Sequence, residues 1–392
     1  MSRLDGCVDF LQRLIRTRSM PGEEGEIAAL VADEMRRLGY DEVSVDDAGN
    51  VIGLIRGRGE APSAMFNTHL DHVDAGDPAD WPHDPFGGVV VDGVVWGRGA
   101  VDIKGPLAAQ VYGVAGLIGD GPPPGDVYVT GVVQEEVGGL GARYMADTLR
   151  PDLTLVGEPS RNEVRRGHRG RVEIVARVRG VMAHASMTQI GRNPLTVIGR
   201  FLSALEDVDL PDHPELGRAT IAPTLIRTDQ TSANVIPGEV WLTLDCRTVP
   251  SQTAETLRDR LLPLLRAAEI EGSSTDILIP THDRVSYVGY EMTYPADNPA
   301  HAIAVDHPAL TAAVETLGAA FGSAPPVDVW QFATDGGHFA EAGMTVVGFG
   351  PGDDRLAHTV NEHIPVADLE IGMRGNEALA REWPARVASA AG

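Results

Sequence analysis

Short apolar segments and amphipathic segments take turns along the first 156 residues, and this alternation limits the folds open to the chain. The apolar runs are typical of buried strands, whereas the amphipathic segments carry apolar residues at helical spacing. In chain order the predicted elements are a helix at 22–38, strands at 51–55 and 64–68, a helix at 105–118, a strand at 127–133, a helix at 139–149 and a strand at 153–156. This order predicts an α/β fold with a mostly parallel sheet and helices on both faces.

The pattern changes near residue 166. The predicted elements there are a strand at 172–180, a helix at 194–205, strands at 219–228 and 239–249, a helix at 255–269 and a strand at 275–280. A β-α-β-β-α-β order predicts a ferredoxin-like α+β unit with one face of its sheet free. The first pattern then resumes with a helix at 308–321, a strand at 344–349 and a helix at 366–382. We therefore predict a discontinuous α/β domain, residues 1–168 and 300–392, interrupted by an inserted α+β domain at 169–299.

Composition excludes several classes of protein. Cys7 and Cys246 are the only cysteines of the sequence, which excludes a disulfide scaffold and a cysteine-based metal site. The 32 Lys and Arg against 56 Asp and Glu leave a net charge of −24, so neither nucleic acid nor an anionic membrane is an expected partner. The sequence has no apolar signal segment and no apolar run of roughly 18 residues. These features predict a cytoplasmic protein.

Polar side chains follow the predicted strands of the α/β part. They are His69 and Asp71 after 64–68, Asp102 after 94–96, Glu135 and Glu136 after 127–133, Glu158 after 153–157, and His358 after 346–349. Ligands of open α/β sheets bind at the carboxyl ends of the strands. We therefore expect five strand ends to bring these two histidines and five carboxylates to one edge of the sheet.

Two histidines and several carboxylates, without cysteine, form a ligand set that suits Zn²⁺, Co²⁺ or Mn²⁺. Without a cation the carboxylates would repel one another, and some would bind protons. Two divalent ions balance the charge of three ligating carboxylates and one hydroxide. A carboxylate behind a ligating imidazole fixes its tautomer, which suits Asp71 next to His69. Of the neighbouring Glu135 and Glu136, one is expected to ligate while the other acts as general base.

Eight segments, in this order along the chain, resemble the acetylornithine deacetylase / succinyl-diaminopimelate desuccinylase family of dinuclear zinc hydrolases. They are THLDHVD (68–74), GRGAVDIKG (97–105), QEEVGG (134–139), VGEPS (156–160), GVMAHAS (180–186), NVIPGEVWLTLDCR (234–247), TDGGHF (334–339) and AHTVNEHI (357–364). The family also contains aminoacylases, dipeptidases and carboxypeptidases. The resemblance covers nearly the whole chain, and it implies that the α/β domain is catalytic and that the insert serves as lid and dimerisation domain.

The resemblance implies two divalent metal ions per subunit, with zinc expected and cobalt or manganese as alternatives. His69 and Glu158 would bind one ion, Glu136 and His358 would bind the other, and Asp102 would bridge both. A non-proline cis peptide bond would follow this aspartate.

The resemblance also implies roles outside the metal ligands. Asp71 would orient His69, and Glu135 would be the general base for a metal-bridged hydroxide. His184, on the insert, would polarise the scissile carbonyl, typically in the partner subunit's site of a homodimer. Asn234 and Arg247 match positions that touch substrate. From the residues alone, Asn234 could instead be a turn residue, and Arg247 could instead form a surface ion pair within a strand. His168 and His338 are less typical and are left open as determinants of substrate choice.

The function implied is hydrolysis of an amide bond in a small substrate, an N-acylated amino acid or a dipeptide. The first hypothesis is an N-acyl-amino-acid deacylase of the acetylornithine deacetylase / succinyl-diaminopimelate desuccinylase type. The second is a dipeptidase or carboxypeptidase that uses the same metals, and the third is a non-catalytic binding dimer. The segment WGRGAVDIKGPLAA (96–109) also resembles the branch that releases lysine or ornithine from an acidic carrier protein. A net charge of −24 disfavours that acidic partner.

Overall fold

The structure is a computed structural model that describes residues 2–391. Its α-helices are α1 (Arg3–Arg16), α2 (Gly25–Leu38), α3 (Lys104–Val114), α4 (Leu140–Thr148), α5 (Pro194–Glu206), α6 (Ala254–Ala267), α7 (Pro308–Phe321), α8 (Gly336–Glu341) and α9 (Val366–Ala391). Its strands are β1 (Glu42–Val45), β2 (Val51–Ile55), β3 (Ala64–His69), β4 (Val89–Val91), β5 (Val94–Trp96), β6 (Val127–Val132), β7 (Leu153–Val156), β8 (Val164–His168), β9 (Gly170–Arg179), β10 (Ala183–His184), β11 (Asp212–His213), β12 (Gly217–Arg218), β13 (Thr220–Thr228), β14 (Val235–Ile236), β15 (Glu239–Thr248), β16 (Ser274–Leu278), β17 (Thr281–Val285), β18 (Glu291–Pro295), β19 (Asp297–Asn298), β20 (His301–Ala302), β21 (Val327–Trp330), β22 (Thr345–Phe349) and β23 (His363–Pro365).

The central sheet has the strand order β1-β2-β6-β3-β7-β22-β8-β20, with β21 paired to β8. Its middle strands β6, β3, β7 and β22 are parallel, while β1, β2 and β20 pair antiparallel with their neighbours. All six residues of β3 are buried, as expected for a strand covered on both faces. The predicted α/β class with a mostly parallel sheet is therefore confirmed.

Successive residues of the central strands belong to two different hydrophobic clusters. On β3, Phe66 joins the larger cluster, whereas Met65 joins the smaller one. On β7, Leu155 and Val156 divide in the same way. Because successive side chains of a strand point to opposite faces, the sheet is covered by helices on both sides.

A second sheet has the order β13-β15-β9-β16, and all its pairings are antiparallel. Along β9, buried residues alternate with more exposed ones, and the buried ones contact a separate core cluster that includes residues of α5 and α6. This is the β-α-β-β-α-β order predicted for the inserted segment. The boundaries proposed for the insert, 169 and 299, stay a prediction.

Some elements differ from the sequence predictions. No helix is predicted over residues 3–16, yet α1 forms there and begins with a capping box between Ser2 and Asp5. The prediction that the strand before Asp102 ends at the central sheet is wrong, because β5 belongs to a separate sheet with the order β23-β5-β4. Asp92 and Gly93 have positive φ and form the tight turn that folds β4 back onto β5.

The hairpin of β17 and β18 is also unpredicted. It lies within the predicted insert, but its Tyr294 belongs to the main core cluster of the α/β part, with Tyr287 and Tyr290 packed against it. Helix α9 extends past the predicted end at 382 and contains Pro384. Among the described residues, no helix is both long enough and apolar enough to cross a bilayer.

Candidate metal centre and adjoining cavity

His69 is the last residue of β3, and its side chain is buried. Its Nδ1 lies 3.2 Å from Asp71 Oδ1, and its Nε2 lies 3.1 Å from Asp102 Oδ1 and 3.6 Å from Glu158 Oε1. Burial disfavours the imidazolium, but the carboxylates of Asp102 and Asp71 outweigh this and raise the pKa of His69. The ring is therefore held between carboxylates on both of its nitrogens.

Asp102 precedes α3 and is followed by a cis peptide bond to Ile103, which confirms the bond implied by the resemblance. Its two carboxylate oxygens face different histidines. Oδ1 lies 3.1 Å from His69 Nε2, and Oδ2 lies 3.2 Å from His358 Nε2. His358, which follows β22 and has a φ of 62°, also places Nε2 3.0 Å from Glu136 Oε1.

Glu135 and Glu136 follow β6 in a 3₁₀ turn that begins after Gln134, a residue with a φ of 57°. The backbone amides of Glu135 and Glu136 donate to Asp71 Oδ1 and Oδ2, both at 3.1 Å. One carboxylate thus holds the turn that carries both glutamates and also faces the His69 ring. Glu158 follows β7 and is 5% exposed, so it approaches His69 from the neighbouring parallel strand.

The carboxylates of this centre are crowded and poorly hydrated. Burial raises the pKa of Glu135, and the charges of Asp335 and Glu158 raise it further. Burial and the charge of Asp102 likewise raise the pKa of Glu158. Ligand atoms of His69, Asp102 and Glu136 lie within 4.8 Å of one another, so these three residues could hold a metal ion. Imidazole nitrogens with carboxylate oxygens suit a divalent first-row cation, which would also offset the repulsion.

Two adjoining cavities open onto this centre. One has a volume of about 210 Å³ and is lined by Asp102, Glu136, Glu158 and His358, among others. The other has a volume of about 420 Å³ and contains Arg247. Glu135 lines both cavities, so it faces the metal-ligand cluster and the space next to it. The predicted ligands and the predicted base therefore lie together.

The structure separates His184 and Asn234 from these residues. The exposed His184 places Nδ1 2.8 Å from Ser186 Oγ, and β10 pairs with β14, next to Asn234. Neither residue lines the two cavities around Glu135. The sequence allows Arg247 to be a substrate contact or part of a strand ion pair, and its position fits both. It lines the larger cavity, and its Nε lies 2.8 Å from Asp245 Oδ1.

His168 and His338 are buried away from both cavities around Glu135. His168 Nδ1 lies 3.0 Å from the Arg169 carbonyl, and its ring packs edge-on against His301 with centroids 4.5 Å apart. His338 lines a different cavity, together with Arg143 and residues of α4. Burial lowers the pKa of both histidines, so they are neutral core side chains near pH 7.

The sequence predictions missed Glu362 and Asp335. Glu362 Oε1 accepts from the amides of Val101 and Asp102 at 2.9 and 3.0 Å, and Oε2 lies 2.5 Å from Arg98 Nη1. Asp335 is buried close enough to Glu135 to raise its pKa. Both residues lie within segments that carry the resemblance, AHTVNEHI and TDGGHF, but no local pattern reveals partners so distant in the sequence.

Comparison with known proteins places this centre in a family. The profile of "Peptidase family M20/M25/M40" matches residues 65–382. The uncharacterised protein YgeY of Escherichia coli K12 is 32% identical over 364 residues, which are 90% of this chain and 88% of YgeY. Succinyl-diaminopimelate desuccinylase of Paracoccus denitrificans is 31% identical over 72% of this chain and 77% of that enzyme. The structure of aminopeptidase PepT from Bacillus cereus is similar in fold, with a TM-score of 0.77, 18% identity, and coverage of 98% and 99%.

Proposed function

The chain belongs to peptidase family M20/M25/M40, a family of metal-dependent hydrolases, and from this premise we propose that it is an N-acyl-amino-acid deacylase with Glu135 as general base. The desuccinylase relative supports hydrolysis of an amide between an acyl group and an amino acid. We further propose that the enzyme uses two divalent ions, with Zn²⁺ as the expected metal and Co²⁺ or Mn²⁺ as alternatives.

The observation that carries this proposal is the symmetry of the ligands around Asp102. One oxygen of Asp102 faces His69, which also faces Glu158. The other oxygen faces His358, which also faces Glu136. This arrangement supports two ligand pairs, His69 with Glu158 and His358 with Glu136, with Asp102 as a ligand shared by both ions.

When bound, the ions would supply Lewis acidity, which lowers the pKa of water and polarises an amide carbonyl. The protein supplies the proton transfers. Glu135 would take a proton from the attacking water and then donate it to the nitrogen of the leaving amine. The hydrogen bond that its backbone amide donates to Asp71 and its position between the two cavities support this role.

The position of Arg247 supports a substrate that carries a carboxylate, because Arg247 lines the cavity beside Glu135 and a guanidinium binds carboxylates well. His184 and Asn234 lie outside that cavity in their own chain. Their proposed roles, polarising the scissile carbonyl and binding substrate, therefore require a partner subunit. We propose that the chain forms a homodimer in which the inserted segment supplies them.

A peptidase that uses the same residues is the second candidate function. The match of residues 65–382 to a peptidase family favours it. The two functions differ in their requirement for the substrate amine, because a dipeptidase would need a free α-amino group and a deacylase would not. A non-catalytic binding role is the third candidate, and the complete set of base and ligand side chains argues against it.

The test is amine release from a panel of N-acetyl, N-succinyl and N-formyl amino acids and unblocked dipeptides, with the protein supplied with Zn²⁺ or Co²⁺. Glu135→Gln is the critical variant, and exposed Glu370→Gln is its matched control. We expect the first to reduce release by at least about 10²-fold while metal content stays unchanged. Release from unblocked dipeptides alone would favour the peptidase. No release at all, with metal bound, would contradict the proposed function.

A further inference from the structure

The hairpin of residues 281–295 is held against the segment that carries the proposed general base. Gln134 Nε2 donates to the Val285 carbonyl at 2.8 Å, and Tyr294 Oη donates to the Val137 carbonyl at 3.3 Å. At its turn, Tyr287 Oη donates to the Gly49 carbonyl at 3.0 Å. Gln134 directly precedes Glu135, so the position of this hairpin is tied to that of the base.

Strand alternation places two polar residues of the hairpin on one face. Along β17, His282 and Arg284 are half-buried, whereas the residues on either side of them are exposed. Both half-buried side chains line the 420 Å³ cavity that Glu135 and Glu136 also line. The hairpin therefore presents a guanidinium and an imidazole to the space beside the base. Burial and the nearby Arg284 lower the pKa of His282, so this imidazole adds hydrogen-bonding capacity without charge near pH 7.

Two further arginines reach the same cavity from the second sheet. Arg171 on β9 and Arg247 on β15 are directly opposite each other in the ladder. Their Nε atoms lie 2.8 Å from the two oxygens of one carboxylate, that of Asp245. Asp297, which also lines the cavity, pairs with Arg143 at 2.7 Å.

Arg284 differs from these two arginines. Within the described part of the chain, no carboxylate lies within 4.0 Å of its guanidinium. The lining of the cavity thus includes three guanidinium groups, and Asp245 is shared by two of them. A guanidinium without a carboxylate partner can form a strong charge-assisted hydrogen bond with an anionic group of the substrate.

We propose that this cavity binds a second carboxylate of the substrate, so that the enzyme prefers dianionic amides, with Arg284 as the specificity-determining residue beside Arg247. This inference rests on the proposed amide hydrolase function. The second carboxylate lies either on the acyl group or on the amino-acid side chain. The planar guanidinium suits a carboxylate, because it donates two parallel hydrogen bonds.

Two pairs of substrates of similar shape test the proposal. In the first pair, N-succinyl-L-alanine has a carboxylate on the acyl group that N-butyryl-L-alanine lacks. In the second pair, N-acetyl-L-glutamate has a side-chain carboxylate where N-acetyl-L-glutamine has an uncharged amide. We expect kcat/KM to favour the dianion by about 10- to 100-fold in one of the pairs, as expected for one charge-assisted hydrogen-bonded pair. The pair that shows the preference identifies the side on which the carboxylate binds.

Variants connect that preference to the residue. Arg284→Gln is expected to bring the ratio within each pair close to one, whereas Arg284→Lys, which keeps the charge, retains part of the preference. Arg258→Gln is the matched control, because Arg258 lies on α6, its side chain is 42% exposed, and it pairs with Asp259. The ratio within one variant is independent of the amount of folded protein. Equal kcat/KM within both pairs for the wild type, or an unchanged preference in Arg284→Gln, would overturn the proposal.

A binding measurement separates this proposal from the proposed function. Calorimetry on the metal-loaded protein would compare glutarate, a dicarboxylate, with butyrate. Tighter binding of glutarate that is lost in Arg284→Gln supports the anion cavity even if no amide is hydrolysed. Equal binding of the two probes, with or without hydrolysis, overturns it.

Discussion

The buried carboxylate of Glu362 binds the backbone amide of Asp102 at 3.0 Å, although 260 residues separate them in the sequence. The same oxygen accepts from the Val101 amide, and the other oxygen pairs with the buried guanidinium of Arg98. Asp102 is the residue that offers one oxygen to each histidine of the centre. Glu362 therefore positions the backbone of the proposed shared metal ligand without facing the cavity.

Glu362→Gln tests this positioning role. The amide side chain keeps one acceptor but leaves the Arg98 guanidinium buried without a carboxylate, so we expect the free energy of unfolding to fall by on the order of 3–5 kcal/mol. We also expect metal affinity to fall about 10- to 100-fold, because the backbone of Asp102 is held less firmly. Denaturant unfolding and metal titration measure the two effects. Unchanged metal affinity would show that Glu362 acts on stability alone.

Asp71→Asn tests the junction between His69 and the two glutamates. Asp71 faces His69 Nδ1 and accepts from the backbone amides of Glu135 and Glu136 through its two oxygens. The side chain of asparagine has one oxygen and one NH₂ donor, so it cannot replace both acceptors. We expect metal affinity to fall about 10- to 100-fold and turnover to fall with it even at saturating metal. Asp80→Asn, at an exposed position, is the control. Full activity of Asp71→Asn at saturating metal would contradict a role in holding the Glu135 turn.

Glu34 predicts a pH dependence of stability far from the metal centre. Burial opposes its ionisation, but bonds from Arg37, Tyr112 and Arg13 outweigh this and lower its pKa from 4.5 to about 2. The ionised form is thus favoured in the folded state. Its contribution to stability is complete above pH 4.5 and is lost as the pH falls from 4.5 towards 2.

The measurement compares the wild type with Glu34→Gln by urea unfolding at pH 6 and pH 3. Because the side chain of Arg37 is 59% exposed and its charge is screened by solvent, we expect the stability difference between wild type and variant to shrink by only on the order of 1 kcal/mol between these pH values. Both proteins share every other titrating group, so the difference isolates Glu34. A difference that does not change with pH would contradict the lowered pKa.

The local patterns of the chain account for much of the fold and for most of the centre. Helix α7 forms at the predicted residues 308–321, between His307, whose side chain caps its start, and Gly322 in the left-handed region. The strands that precede His69, Glu135, Glu158 and His358 end at one edge of the central sheet, as predicted. These outcomes depend on side-chain periodicity and on the geometry of parallel strands, and both can be recognised within a short segment.

Other relationships in the site were not visible in the sequence. The strand before Asp102 pairs in a sheet of its own, yet the aspartate still reaches the centre, where the distant Glu362 holds its backbone. His184 matches its motif but lies outside the cavity of its own chain. Each of these facts concerns pairing or distance between segments far apart in the chain.

Residue type and spacing were thus enough to predict the class of fold and the type of side chain at the edge of the sheet, whereas the choice of Glu135 as base came from the family resemblance and stays a proposal. The tertiary structure alone shows that one Asp71 carboxylate holds two glutamate amides, and that a hairpin brings Arg284 to the cavity beside Glu135. The physical reason is that periodicity arises from the local backbone, so a short segment encodes it. A hydrogen bond or a shared cavity depends on how distant segments pack, and each segment contributes only one of the two partners.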